Sequence, residues 1–157
     1  MPVTSAGLLL YRRRPDGRTT EVLLGHMGGP FYSGKDDGAW SIPKGLLGQD
    51  EDPFAGAVRE FTEELGSPPP PGAPVSLGST RGRGKIITVF AVAGEFDADA
   101  ISSNEFTLEW PPRSGRKQAF PEIDRAAWFD TDTARRKVSA AQVTFVDRLL
   151  EHLASGA

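Results

Sequence analysis

Residues 45–67, GLLGQDEDPFAGAVREFTEELGS, constrain the fold more than any other stretch, because they specify both ends and both faces of one helix. Asp52 is placed to cap that helix, and Pro53 fits its first position, where a missing N–H costs nothing. Gly66 closes it just past its last turn, and Pro68 forbids continuation. Between these limits Phe54, Ala57, Val58, Phe61 and Leu65 recur at helical spacing and predict a buried stripe. Glu60, Glu63 and Glu64 then project away from the stripe, clustered at i, i+3 and i+4. Like charges so spaced repel by about 0.2–0.5 kcal/mol per pair, and Arg59, four residues before Glu63, is one offset. Gly56 removes a side chain, so a loop or ligand can approach the backbone there. A glutamate-rich helix is ordinarily a solvated face; the glycines, the embedded arginine and the abrupt ends argue otherwise here.

The segment resembles the Nudix box, G-x5-E-x7-R-E-U-x-E-E-x-G-U, with U a bulky apolar residue. Gly45, Glu51, Arg59, Glu60, Phe61, Glu63, Glu64 and Gly66 stand at the expected places. The last U is Ser67, a departure that bears on packing more than on chemistry. The resemblance implies an α/β fold, a Nudix-type α/β/α sandwich around a mixed sheet, with residues 1–157 as a single domain. It further implies that Glu60, Glu63 and Glu64 hold the metal with the Gly45 carbonyl, that Arg59 orients a glutamate, and that Glu51 supports the site. The general base comes from the box in some members and from a later loop in others. Glu60 is the candidate in the box; Glu109 and Glu122 are the downstream candidates.

The chemistry of the residues agrees. Clustered carboxylates without histidine or cysteine select hard, oxygen-liking cations, Mg²⁺ or Mn²⁺. Such a cation turns repulsion of a polyanionic substrate into attraction and polarises phosphorus, which suits cleavage of a phosphoanhydride by water. No P-loop Lys-Ser/Thr pair is present for transfer to a hydroxyl.

Composition narrows the context. A chain of 157 residues is one domain's worth. Its net charge of −3, with both signs interleaved, argues against a nucleic-acid polymer as partner and offers no polybasic membrane patch. The lack of cysteine excludes disulfides, thiolate zinc sites and cysteine nucleophiles. The apolar run Ala6–Tyr11 precedes Arg12, Arg13 and Arg14, the reverse of a secretory signal, so a cytoplasmic protein is expected, as monomer or homodimer.

Residues 3–11 and 20–26 read as a strand hairpin across a Pro-Asp-Gly turn. A glycine- and aromatic-rich loop follows, in which Phe31 and Tyr32 either wall a ligand or plug the core edge. Residues 75–80 and 85–93 read as strands, and the proline-rich 67–74 as a spacer. Arg81, Arg83 and Lys85 form a solvated hairpin tip or a clamp for phosphate oxygens, the second favoured by an anionic substrate. Residues 94–120 read as a long loop. A last strand lies near 127–129, followed by a short helix capped by Thr131 or Asp132. A final helix is capped by Ser139, with Val143, Val146, Leu149, Leu150 and Leu153 inward.

The W-S-I-P-K-G entry to the box, with Lys44, and the strand beginning at Lys85 are most similar to Nudix members that hydrolyse nucleoside triphosphates or dinucleoside polyphosphates. The expected substrate is therefore a small nucleotide, with Trp40, Phe31 or Phe120 as candidates to stack on a base, and with core packing the favoured role for Trp40. Two rival readings are a non-catalytic nucleotide-sensing module, disfavoured by the full set of glutamates, and a calcium-binding or structural domain, disfavoured because EF-hand spacing is absent.

Overall fold

The computed structural model describes residues 3–156. β1 (Val3–Arg13) serves both layers of the molecule. Successive strand side chains point to opposite faces, so Leu8 and Leu10 enter one apolar cluster and Leu9 the other. β2 (Thr20–Met27) returns antiparallel, with Tyr11 opposite Val22. The turn between them is held by Asp16, whose Oδ1 accepts from the N–H groups of Arg18 and Thr19 at 2.8 and 2.9 Å. The W-S-I-P-K-G stretch contributes two short strands: β3 (Trp40–Ser41) pairs with β2, and β4 (Lys44–Leu46) with β1.

After the helix α1 (Pro53–Leu65), β5 (Val75–Gly82) and β6 (Lys85–Ala93) form a hairpin. β6 runs parallel to β1, from Val3 opposite Lys85 to Tyr11 opposite Ala93. β7 (Glu105–Glu109) and β8 (Lys117–Pro121) make a separate antiparallel ribbon, and β9 (Ile123–Asp130) adds to β2. The main sheet is therefore mixed, ordered β3-β2-β1-β6-β5, with β4 also on β1 and β9 also on β2.

α1 covers one face, with Ala57, Phe61 and Leu65 against Ala6, Leu8, Leu10 and Leu23. Helices α2 (Thr131–Lys137) and α3 (Val143–Ala154) cover the other, with Ala134, Phe145, Val146 and Leu149 against Leu9, Val22 and Leu24. This is the α/β/α sandwich that the sequence led us to expect. No helix among the described residues is long and apolar enough to cross a membrane.

Three local expectations need correction. The long loop 94–120 contains β7 and most of β8, with Phe106 opposite Phe120 and Leu108 opposite Gln118. β7 alternates, with Phe106 and Leu108 half-buried on one face, but it is only five residues long, and β8 is exposed over Lys117–Ala119 and shows no alternation. The cap of α2 is Asp130, whose Oδ1 accepts from Thr133 N–H at 2.8 Å, rather than Thr131 or Asp132. Ser139 makes no side-chain cap bond; a 3-10 turn over Ala140–Gln142 leads into α3 instead. Buried Gln142 ties that turn to the sheet, accepting from Ile42 N–H at 2.8 Å and donating to Ser41 Oγ at 2.9 Å. The inner stripe of α3 includes Phe145, fully buried, while Leu150 is half-buried. The proline-rich spacer is tied down where Pro70 lies against the backbone of Gly94.

Candidate active site

The helix ends behave as the sequence requires. Asp52 Oδ2 accepts from Ala55 N–H at 3.0 Å, and Gly66, at φ 84°, donates its N–H to Thr62 O at 2.8 Å. Gly56 lets the preceding loop close onto the helix, since a β-carbon there would collide with Leu47. That loop carries Glu51, and Glu51 with Arg59 is the rigid part of the site. The Arg59 guanidinium donates to both Glu51 oxygens, from Nε at 2.8 Å and Nη2 at 2.9 Å, and to Leu46 O at 2.9 Å. Its Nη1 donates to Glu60 at 2.9 Å and to Glu63 at 3.1 Å. A bidentate fork of this kind fixes orientation as well as charge. With the Gly48 N–H as a further donor, Glu51 is held well below the usual carboxylate range, at about 2.

Glu60 and Glu64 stand in the opposite condition. Both are buried, at 9 % and 6 % exposure, whereas Glu63 is exposed beside Arg59. Burial pushes Glu60 upward against the pull of Arg59, with Glu63 and Glu122 adding to the rise. Glu64 is pushed up to about 8, first by burial and then by the charges of Glu122 and Glu60, opposed by Lys44 through its charge and its backbone N–H. β4 passes directly beneath Glu60: a β-carbon at Gly45 would fall on that carboxylate, so any larger residue there would displace Glu60 from its place beside Arg59.

Three carboxylates on two segments thus raise one another's need for positive charge. Among the described residues no three acidic or histidine side chains converge on a common point at ligand distance. The reason is visible: Arg59 holds Glu60 and Glu63 to itself. The donor set is nevertheless all oxygen, with Glu60 and Glu64 buried and Glu63 exposed, and oxygen donors are what Mg²⁺ or Mn²⁺ prefers. In kind, these oxygen donors fit a hard divalent cation.

One cavity opens on the cluster, and Lys44 lines both it and a second. One, of about 300 Å³, is walled by Tyr32 and Phe106 and floored by Glu64 and Glu122. The other, of about 570 Å³, is lined by Arg81, Arg83 and Lys85 together with Ile86, Ile87 and the segment preceding α3. Arg81, Arg83 and Lys85 are thus exposed around the β5–β6 turn and also line that cavity.

Other sequence candidates fall elsewhere. Trp40 is 4 % exposed, set edge-on to His26 and Phe129 with its Nε1 donating to Asp36; it is core and presents no face to a base. Phe31 is exposed and packs edge-on against Trp110, while Tyr32 packs on the core edge and also walls the smaller cavity. Phe120 packs against Phe106 within the ribbon. Glu109 lies at the ribbon's far end, accepting from Arg113 N–H at 2.8 Å, whereas Glu122 sits at its root and lines the cavity beside Glu64. Of the two downstream bases, the fold brings only Glu122 to the cluster. Sequence reasoning missed Phe106; the signal available was the Gly28-Gly29 pair that its ribbon packs upon.

Comparison with known proteins bears on the family and the fold. A family model for the NUDIX domain matches residues 1–149. Putative 8-oxo-dGTP diphosphatase 3 from two strains of Mycobacterium tuberculosis is 45 % identical over 62 residues, 40 % of this chain. The match spans 27 % of the length of those relatives. The NUDIX domain of Shewanella oneidensis NrtR, complexed with ADP ribose, superposes with a TM-score of 0.66 at 14 % identity, over 98 % of this chain and 89 % of the other. A C. elegans Ap4A hydrolase binary complex gives 0.63 at 19 % identity, over 98 % of both chains. The Nudix hydrolase RenU from M. smegmatis gives 0.61 at 22 % identity, over 98 % of this chain and 87 % of the other. These structural likenesses bear on the fold, and the family match rests on nearly the whole sequence: the chain belongs to the NUDIX domain family.

Proposed function

We propose that this protein is a divalent-cation-dependent hydrolase that cleaves a phosphoanhydride bond in a nucleoside triphosphate or in a nucleoside diphosphate linked to another group. The observation that carries this reading is the meeting of buried Glu60 and Glu64 with Glu122 beside Lys44, which lines both the cavity at the cluster and the cation-rimmed one. Glu60, Glu63 and Glu64, with the Gly45 carbonyl, would hold Mg²⁺ or Mn²⁺. When bound, the ion neutralises phosphate oxygens and polarises phosphorus.

The remaining work belongs to the side chains. Arg59, itself fixed by Glu51, sets the position of Glu60. Lys44, standing between the cavities, neutralises a bridging phosphate, and Arg81, Arg83 and Lys85 receive the rest of the chain. Water attacks phosphorus, the bond to the departing phosphate breaks, and the water's proton passes to a carboxylate. Glu122 suits that role better than Glu60, which Arg59 already engages. The name of the mycobacterial relatives supports a nucleoside triphosphate; that of the nematode neighbour supports a dinucleoside polyphosphate.

The test is release of phosphate or pyrophosphate from a panel of nucleotides with Mg²⁺, with Mn²⁺ or with chelator. Release only with the ion supports the reading. Tight nucleotide binding without release under any condition refutes it in favour of a sensing module.

A further inference from the structure

Gln142 lines the larger cavity, yet the groups it bonds belong to the segment that enters the smaller one. It ends the 3-10 turn Ala140–Gln142 and is 3 % exposed. Phe145, Val146 and Leu149, which follow it on α3, are fully buried, so the backbone carrying Gln142 is anchored in the core. Its amide nitrogen donates to Ser41 Oγ at 2.9 Å, and Ser41 lines the cavity at the glutamate cluster. Its amide oxygen accepts from Ile42 N–H at 2.8 Å. Ser41 Oγ closes the set by donating to Ile42 O at 2.8 Å. An amide whose oxygen and nitrogen are both engaged within the chain serves the chain before it serves a ligand.

Ile42 needs this acceptor. It is fully buried and falls between β3 and β4, outside both ladders, so without Gln142 its N–H would be buried and unpaired. The residues that come next are those beneath the glutamates. Pro43 has its φ fixed by its ring, and its carbonyl accepts from Leu8 N–H at 3.0 Å. Lys44 then turns its N–H toward Glu64, and Gly45 passes under Glu60. The stretch has little slack on its other side, where a β-carbon at Gly7 would stand 3.0 Å from both the Pro43 carbonyl and Lys44 Cβ. A displaced Ile42 peptide is therefore passed on, through one stiff residue, to the segment that carries the Gly45 carbonyl. The glutamates themselves come from α1, on the opposite face of the sheet from the turn that bears Gln142.

We infer that Gln142 is a positioning residue for the catalytic centre, acting across the sheet: its amide fixes the Ser41–Ile42 segment, and with it the Lys44 N–H and the Gly45 carbonyl against the glutamates of α1. This rests on the hydrolase reading above and adds to it a residue far from the glutamate helix in sequence. Gln142→Met keeps the shape and removes both hydrogen bonds, whereas Gln142→Glu keeps an acceptor for Ile42 N–H. Mn²⁺ binding to metal-free protein is read from the paramagnetic resonance signal of the free ion. Values of kcat and KM are taken with Mg²⁺ on the nucleotide the parent hydrolyses fastest, and circular dichroism checks the fold. Gln142→Met weakens Mn²⁺ binding by about 10-fold and lowers kcat to a similar degree with KM little changed, the scale of an outer partner to a metal ligand. Gln142→Glu recovers most of the Mn²⁺ affinity. Parental Mn²⁺ affinity in folded Gln142→Met, whatever its stability, overturns the inference, and so do equal losses in the two variants. A raised KM with kcat and Mn²⁺ affinity unchanged also overturns it, by giving the amide to the ligand. Should Gln142→Met not fold, Ser41→Ala, which cuts the Gln142–Ser41 bond and leaves Ile42 N–H paired, decides by the same titration: weaker Mn²⁺ binding is expected, and parental binding overturns. The two levels separate. No turnover in the parent refutes hydrolysis and leaves the Mn²⁺ comparison standing; parental Mn²⁺ affinity in a working hydrolase refutes only the role of Gln142.

Discussion

Glu51 and Glu64 are the same side chain on the same short segment, yet their surroundings drive them in opposite directions. Glu51 receives both arms of the Arg59 fork and the Gly48 N–H, and titrates at about 2. Glu64 lies buried against Glu60 and Glu122 and is pushed up to about 8. The first has all the donors a carboxylate can use; the second has burial and like charge. The contrast divides the acidic residues into those that hold the site's shape and those that wait for a cation, a division that a count of glutamates does not give.

The largest expected effect falls on the waiting side. Glu63→Gln or Glu64→Gln lowers Mg²⁺-dependent turnover by more than about 10²-fold, beyond the roughly 10–100-fold typical of groups that merely support ligands. Steady-state rates with circular dichroism as a fold check decide it, and near-parental turnover in a folded variant removes the assignment. Glu122→Gln is expected to lower kcat by about 10²-fold, within the range for a general base, with KM little changed. A kcat within a few-fold of the parent returns that role to Glu60. On the holding side, Glu51→Gln weakens Mg²⁺ activation by about 10-fold, because Arg59 loses its principal anchor and Glu60 its fixed position. A Mg²⁺ activation curve identical to the parent's shows that Arg59 needs no such anchor.

The smallest effect carries the comparison into stability. Without divalent ions the folded protein keeps the Glu64 proton to higher pH than the unfolded chain does. Stability therefore falls as pH rises from about 4.5 to about 8, and Glu64→Gln removes that slope. Glu51 runs the other way: its contribution is present above about 4.5 and is lost as pH falls toward about 2. Urea midpoints across that range measure both, and one common slope for the parent and Glu64→Gln contradicts the assignment.

Much of this was legible in the chain itself. The caps Asp52 and Gly66, the stripe Phe61–Leu65 and the Arg59–Glu63 pairing follow from helix geometry, a local rule that needs no knowledge of the rest. What escaped is what distance in sequence conceals. Gln142 bonds to Ile42 from a hundred positions away, and no pattern in either segment announces it. The β7–β8 ribbon alternates only over the five residues of β7, and β8, exposed over Lys117–Ala119, shows no matching period, so the pair is hard to tell from loop. Glu109 and Glu122 were indistinguishable until the ribbon put one at its tip and the other at its root. Trp40, by contrast, is the core residue the sequence favours, carried by β3 beneath Phe129 and His26.

The most direct test of the central claim, that buried Glu64 and its neighbours await a divalent cation, is the unfolding midpoint at pH 8 as Mg²⁺ is added to metal-free protein. A saturable rise is expected for the parent, since an ion that binds only the folded state stabilises it by mass action, and none for Glu64→Gln. A parent midpoint indifferent to Mg²⁺, or an equal rise in Glu64→Gln, would contradict the account.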